Sequence, residues 1–493
     1  MKKVLVIVWI LALSNVGCKD FLNLVPKNKK IVANVEDVKT EMLMYLGSIT
    51  YSVGKILQPS YGSSSFRFPL YNDVATRLAL YEDDIDMSYY SEHSDIDERS
   101  VGVYKECIDW KGVSLANVLW EKCYGAIGFM NVIIDDLEKA GGYTQTEYEC
   151  IVGEAKTIRA YYIFKLLQFF APYHDNKLGI PLNLDSDNVT PSDRLSQREV
   201  YRVIIRELEE VLEFETVRDK WNMFYSPGVV KAILAQVYMF KAGSAAAEES
   251  DWANAEKYSG ELIEGYEPEN QVDVLSEMFS GTVREYLVAN PNYQLRMTYR
   301  KSCGFGNLYT GIWAKGRAQR VSSDLLSMYA DSDIRRAAWF KTEEKEGRMV
   351  YYINKPAYTE SINEVTVLFR SAEMYLINAE AKCRQNRVPE AKSMLEVFKQ
   401  SRILDFEGYS GQDVLEEILR ERRKEFCYEI GTRWLDMKRL GIATSRVGMS
   451  KEGEGSETYV LEANDYRYAL PIPTTIELNY NKIEQNPGWG NLK

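Results

Sequence analysis

The chain has 493 residues, 45% of them hydrophobic and 27% charged, and a formal net charge of −12 at pH 7. That composition suits a folded protein with a sizeable core, and its acidity excludes nucleic acid as a partner, because phosphate binding depends on clustered Lys and Arg. With two histidines in the whole chain, His93 and His174, imidazole-based catalysis has little to draw on.

The first element in chain order is an export signal. Lys2 and Lys3 precede the apolar run Val4–Leu13, and a short polar step leads to Gly17, Cys18, Lys19, Asp20, Phe21 and Leu22. Such a run is too short to span a hydrocarbon core of about 30 Å and sits where a cleavable signal peptide sits. Residues 1–17 are therefore predicted to be removed. Cys18 directly after a small residue resembles the processing site of bacterial lipoproteins, which implies an acylated Cys18 as the mature N-terminus. Asn15 departs from that pattern, where a leucine is usual, and ordinary secretion with an incidental cysteine is the alternative. Removal of residues 1–17 takes away Lys2, Lys3 and no acid, which moves the charge from −12 to −14. An acidic surface has no polybasic grip on lipid headgroups, so membrane attachment would run through Cys18.

Beyond the signal, helical periodicity dominates, with the clearest windows at 115–139, 147–170, 197–214, 228–243, 251–264, 368–386, 388–401 and 412–428. In the second window Ala155, Ile158, Tyr162, Leu166 and Phe169 or Phe170 recur at three- and four-residue steps, predicting one buried face. Pro172 stops that helix, Ser196 or the pair Thr190 and Ser192 starts the next, and Pro227 suits the first position of the one after. Neighbouring windows with short connections read as tetratricopeptide-like hairpins. In one pair Ala232, Ala235 and Tyr238 face Trp252, Ala253, Ala255 and Tyr258, small against large. No strict 34-residue period can be laid down.

The predicted fold is mainly α, a tetratricopeptide-like helical-hairpin scaffold, with residues 18–493 as one body. Two stretches, about 58–113 and 270–355, break the pattern with Gly, Ser, Asn, Asp and aromatics. They read as irregular insertions, and on a rigid scaffold insertions are where binding surfaces usually lie. The tail 459–489 is predicted to be extended, with Pro471, Pro473 and Pro487 shaping turns. Besides Cys18, the cysteines Cys107, Cys123, Cys150, Cys303, Cys383 and Cys427 form no C-x-x-C pair, which argues against a zinc site and for mostly free, buried thiols.

The order of landmarks resembles the SusD/RagB family of outer-membrane nutrient-binding lipoproteins. Trp120, Tyr124, Ile127 and Asn131 resemble its W-x-x-x-Y-x-x-I-x-x-x-N helix, and Glu154–Tyr162 resembles its E-A-x-x-x-R-A helix. Ser192–Leu212 resembles the polar lead and helix that follow, and Asp333 with Arg335 its D-x-R segment. Arg370, Ala372, Glu373, Leu376, Ala379, Glu380 and Ala381 are similar to its R-x-A-E-x-x-L-x-x-A-E-A helix. Glu421, Arg422 and Glu425, then Gly431, Arg433, Trp434, Asp436, Lys438 and Arg439, match E-R-x-x-E and G-x-R-W-x-D-x-K-R. Leu470–Pro473 and Gln485–Gly488 complete the set. Ile430 separates Glu429 from Gly431 where the family commonly has the two adjacent.

These signature residues read as structural. Glu421 with Lys424, and Arg422 with Glu425, stand at helical spacings that let opposite charges meet, and Arg159 offers a fixed guanidinium fork. Catalytic motifs are missing: G-x-S-x-G, H-E-x-x-H and the phosphate-binding loop are absent, and Gly304, Gly306 and Gly311 read as a loop. Paired carboxylates, as in glycosidases, are the remaining route, with 72 acids in the chain and no pair singled out. No cofactor and no metal are expected. Asp83, Asp84 and Asp86 read as a solvated acidic turn rather than a calcium site, because the twelve-residue loop with its central glycine and terminal glutamate is missing.

Sugar rings pack their C–H faces on Trp and Tyr while amides and charged groups take the hydroxyls. The insertions supply Tyr89, Tyr90, Trp110, Tyr293, Tyr299, Tyr309 and Trp313, with Arg67, Asn72, Asn292 and Arg317 as polar company. Of these, Tyr89, Tyr90, Trp110, Tyr293, Tyr309 and Trp313 are the candidate ligand contacts, with core packing as the competing role for each aromatic. The resemblance implies a lipid-anchored, cell-surface protein of a Bacteroidota-type outer membrane. Such a protein binds an oligosaccharide or polysaccharide and closes as a lid over a TonB-dependent, SusC-like transporter. A peptide-binding member of the same uptake system, a surface glycoside hydrolase and a pure assembly scaffold are the alternatives.

Overall fold

Local chemistry starts the long helices. The Thr144 hydroxyl accepts a hydrogen bond from the Glu147 amide at 3.2 Å, and the Glu147 carboxylate accepts one from the Thr144 amide at 2.8 Å. Ser196 and Glu199 repeat this exchange at 3.3 and 2.8 Å. Each pair satisfies amides that a first helical turn leaves without partners. Pro227 follows its cap Ser226 as the first residue of a helix, where a missing N–H is harmless. Gly141 and Gly142 adopt φ of +59° and +69°, which glycine reaches without a Cβ clash, and they end the helix before them.

The structure, a computed structural model, describes residues 32–49, 73–88, 105–174, 177–187, 192–216, 219, 221, 222, 224–263, 296–298, 320–345, 348–353, 365–367, 369–429, 431–450, 455–473, 477, 478 and 480–490. Helices α1 (Val35–Ile49) and α2 (Asp73–Tyr81) precede α3 (Val113–Ala140) and α4 (Gln145–Phe170). Strands β1 (Leu178–Pro181) and β2 (Arg194–Ser196) pair antiparallel before α5 (Gln197–Leu212), α6 (Pro227–Lys241) and α7 (Asp251–Ile263). Then come β3 (Arg296–Thr298), α8 (Ser323–Ser327), α9 (Ile334–Trp339), the hairpin β4 (Phe340–Lys345) and β5 (Arg348–Ile353), and β6 (Val365–Val367), which pairs antiparallel with β3. The chain continues through α10 (Ser371–Arg384), α11 (Val388–Gln400), α12 (Val414–Phe426), α13 (Thr432–Leu440) and the hairpin β7 (Thr444–Met449) and β8 (Ser456–Leu461). The described sheets are all two-stranded and antiparallel.

Each helix from α3 to α7 packs on its predecessor, and α7 then packs on α10, which carries α11 and α12. Helices α3 to α7 and α10 to α12 thus form a continuous stack, although residues 264–370 separate α7 from α10 in sequence. The eight predicted windows all fall on helices of this stack, in the tetratricopeptide-like arrangement expected. One expectation is corrected. Every residue of α4 from Glu149 to Phe170 except Lys156 is buried, so α4 is enclosed around its circumference rather than along one face. The polar groups of α4 therefore need partners inside the core, and they have them. Cys107, Cys123, Cys150, Cys383 and Cys427 are free thiols, and all but Cys383 are buried. No helix among the described residues is long and apolar enough to cross a membrane.

Candidate functional site

The buried polar residues of α4 organise the first half of the scaffold. Arg159 donates to Glu207 of α5 at 3.1 Å and to Asn131 of α3 at 2.8 Å, tying three helices through one guanidinium. Glu154 accepts from the amides of Phe224 and Tyr225, both at 2.9 Å, and from the Asn222 side chain at 3.0 Å. At the far end of α4 the Lys438 ammonium donates to the carbonyls of Gln168 and Ala171 at 2.6 and 2.7 Å, replacing bonds the helix terminus lacks. Burial, with a small push from Arg194, lowers Lys438 to about 7. The tail closes on the same point, with the Asn486 amide donating to the carbonyls of Phe170 and Leu470.

A second set of charges fixes the insertion to α12. Arg335 is fully buried and donates to Asp333 at 2.9 and 2.8 Å, to Glu421 at 2.7 Å and to Glu425 at 3.1 Å. Lys424 joins Asp333 at 2.7 Å and Glu421 at 2.8 Å, while Arg370 and Arg402 reach Glu425. Glu421 therefore pairs with Lys424 as its spacing predicts, whereas the expected Arg422 to Glu425 contact is replaced. Arg422 lies on another side of α12 and bonds Asp436 at 2.9 Å and Glu373 at 3.0 Å, and Arg439 links Asp436 to Glu380. The signature charges thus form two buried structural clusters, one of Glu421 and Glu425 around Arg335 and one that joins α10, α12 and α13 through Arg422, Asp436 and Arg439.

The two clusters predict an acid limit to stability. Burial alone raises Glu421, but Arg335, Lys424 and Lys399 outweigh it and hold its carboxyl at about 2. Glu380 and Asp436, also raised by burial, are carried below the ordinary range by Arg439 with Arg384 or Arg422. A carboxyl depressed in the folded state binds fewer protons than in the unfolded chain, so its contribution is complete above the ordinary value near 4.5. That contribution is lost as pH falls from there toward about 2. Thermal unfolding followed from pH 6 to pH 2.5 is expected to show Tm falling below pH 4.5. A constant Tm between pH 5 and pH 3 would contradict the role of these clusters.

Where the two insertions can be described, they meet. Ile85, in the first, forms an antiparallel bridge with Val321, in the second. The Asp86 amide donates to the Arg320 carbonyl at 3.0 Å and the Ser322 amide to the Asp84 carbonyl at 2.8 Å, while Val321 also donates to Tyr351 of β5. Arg423 of α12 clasps the junction, bonding Asp84 at 2.9 Å and Asp324 at 2.8 Å, and Arg433 bonds Asp83 at 2.7 Å. Asp83 and Asp84 are therefore anchors beneath the insertions, which corrects the expectation of a solvated acidic turn. Burial raises Asp83, and Arg433 and Arg423 more than reverse it, leaving that carboxyl below its usual range. Glu82 beside them is pushed well above the usual range by burial and by the charges of Asp84 and Asp83. No group of three or more metal-ligating side chains occurs among the described residues.

Of the candidate contacts, only Trp110 lies within the described residues, and the structure moves it from the surface to the core. Its backbone takes φ +58°, its side chain is fully buried, and its indole N–H donates to the Tyr81 carbonyl at 2.9 Å. The Arg446 guanidinium stacks 4.0 Å from the ring centre while Arg446 binds the carbonyls of Ile108, Leu80 and Cys107, so no ring face is left for a ligand. Tyr89, Tyr90, Tyr293, Tyr309, Trp313 and Cys18 lie outside the described residues. Sequence reasoning did not single out Ile85 and Val321, which make the junction. Nothing in an apolar residue flanked by polar ones distinguishes a bridge across distant segments from ordinary packing.

Two family models match the chain. The SusD family model covers residues 309–489, and a model described as starch-binding associating with outer membrane covers residues 63–239. A SusD-like protein of Bacteroides ovatus is 24% identical over 360 residues, which is 64% of this chain, and the chain spans 64% of the length of that relative. A SusD superfamily protein from Bacteroides thetaiotaomicron shares the fold with a TM-score of 0.67 at 19% identity, over 92% of this chain and 100% of its own. Surface glycan-binding protein A from the same organism, seen in complex with laminarihexaose, gives a TM-score of 0.64 at 17% identity over 92% of this chain and 99% of its own. With the SusD family model over residues 309–489 and the second model over residues 63–239, the chain belongs to the SusD/RagB family.

Proposed function

We propose that the chain captures an oligosaccharide at the surface of an outer membrane, held there by an acylated Cys18, and delivers it to a TonB-dependent, SusC-like transporter. The observation that carries this reading is the junction of the two insertions. Both aromatic-rich stretches are rooted at one clasped point on a rigid helical stack. Tyr89 and Tyr90 follow Ser88 directly, and Trp313 precedes Arg320 by seven residues, a reach of at most about 25 Å. Tyr89, Tyr90, Tyr293, Tyr309 and Trp313 are proposed as ring platforms for sugar C–H faces. A structural relative bound to laminarihexaose agrees with a glycan as ligand. The acids Asp333, Glu421 and Glu425 sit buried around Arg335, which gives these carboxylates a structural role.

Gentle extraction from native outer membranes, with identification of what co-purifies, tests the proposal. A large β-barrel partner and an acylated Cys18 are expected. Recovery of the chain as a soluble periplasmic protein with no barrel attached would sink it. In an oligosaccharide panel that includes laminarihexaose, Trp313→Ala is expected to weaken binding at least tenfold with an unchanged Tm.

A further inference from the structure

Away from the insertions, an open groove of about 550 Å³ runs along α5, with Tyr238 of α6 and Ser250 and Asn254 at the start of α7 as its opposite wall. Arg202, Arg206, Glu209 and Glu213 line it at steps of four, three and four residues, so they share one stripe of the helix. Neighbouring charges are already matched. Glu210 pairs with Lys156, and Glu248 pairs with Lys241 at 2.9 Å and Arg198 at 3.1 Å. Arg202, Arg206 and Glu213 make no hydrogen bond through their side chains and no ion pair among the described residues. Glu209 is held in place instead, accepting from the phenols of Tyr258 at 3.1 Å and Tyr238 at 3.4 Å, whose rings stack 5.9 Å apart.

Besides Glu210 and Glu248, which also line it and are paired with Lys156, Lys241 and Arg198, the groove carries two guanidiniums, Arg202 and Arg206, early along α5 and two carboxylates, Glu209 and Glu213, at its end. Glu248 also feels the charge of Arg202. This polarity does nothing for the helix. The last turn of α5 holds acids and no base, the reverse of what the helix dipole favours. Nor does the lining suit a sugar, because its one aromatic, Tyr238, is buried to 6% exposure and turned against Tyr258. From Arg202 to Glu213 the helix rises about 16 Å, the length of about five residues of extended chain.

We propose that this groove binds a short extended peptide segment of a partner protein, carrying an acidic side chain at one end and a basic one four residues away. The acid meets the paired forks of Arg202 and Arg206, and the base meets Glu213 and the preset carboxylate of Glu209. This site is independent of glycan capture at the insertions.

The test uses the purified protein and an array of end-blocked pentapeptides with Asp or Glu at one end and Lys or Arg at the other, in both orders. Peptides with Asn or Gln in place of the acid and Met in place of the base are the controls. Bipolar peptides of one order are expected to bind at least tenfold more tightly than the controls, and to lose that advantage in 0.5 M NaCl. Arg202→Ala with Arg206→Ala, and separately Glu209→Gln with Glu213→Gln, are each expected to abolish it without lowering Tm. If no bipolar peptide exceeds its control, or if the variants leave binding unchanged, the proposal is overturned. It is equally overturned if an acidic oligosaccharide such as tetragalacturonate binds the groove and the peptides do not.

Discussion

Replacing Arg335 by methionine is expected to cost about 3–5 kcal/mol of unfolding free energy, the range for removing one partner from a buried ion cluster. The methionine fills similar volume but leaves Asp333, Glu421 and Glu425 without the guanidinium that touches all three. Lys424, Lys399, Arg370 and Arg402 still face these acids and limit the loss. The acid-side midpoint of unfolding should also move to higher pH, because Glu421 loses the largest charge that opposes its burial. Urea titrations at pH 7 and pH 4 measure both effects. A loss under 1 kcal/mol at pH 7 would show that the cluster fixes geometry without stabilising the fold. Since Arg335 lies at the root of the second insertion, its replacement is expected to weaken the hold of that insertion on α12 first.

Glu154→Ala should cost a similar amount, about 3–5 kcal/mol, through a different mechanism. It would strand two backbone amides, those of Phe224 and Tyr225, and the Asn222 side chain, each buried donor left unsatisfied costing about 1–3 kcal/mol. Asn222 has a second acceptor in the Cys150 carbonyl, which keeps the total below the simple sum. The damage falls on the segment that leads into α6, whose cap Ser226 follows directly. Chemical denaturation gives the total, and amide hydrogen exchange at Phe224 and Tyr225 gives the location. Glu154→Gln should lose less, since its oxygen still accepts. Unchanged exchange at both amides in Glu154→Ala would count against the assignment.

Much of the scaffold was legible because a helix writes its burial and its ends into nearby residues. Ser196, one of the two starts the sequence offered, with Pro172 and Pro227 marked boundaries that the structure repeats. The roles of Arg159 and the α12 charges were readable as structural, because a buried guanidinium has to be paired. Which acid each base takes was not readable. Arg422 and Glu425 have a spacing that permits a pair, yet longer-range partners, Asp436 and Glu373 for one and Arg335, Arg370 and Arg402 for the other, occupy them. The charge stripe from Arg202 to Glu213 was available at helical spacing, but its groove exists only once α6 and α7 form the opposite wall.

By itself the sequence determined the helical stack and the family landmarks, which rest on local periodicity and on the order of residue types along the chain. Only the tertiary structure decided that α4 is enclosed on every side, that Trp110 is clamped under Arg446, and that Asp83 and Asp84 serve as anchors. Tertiary structure alone also joined the insertions, by way of Ile85 and Val321. An aromatic ring or a carboxylate has the same identity in a binding face and in a core. Which of the two it occupies depends on what distant chain folds over it, and that information is not local.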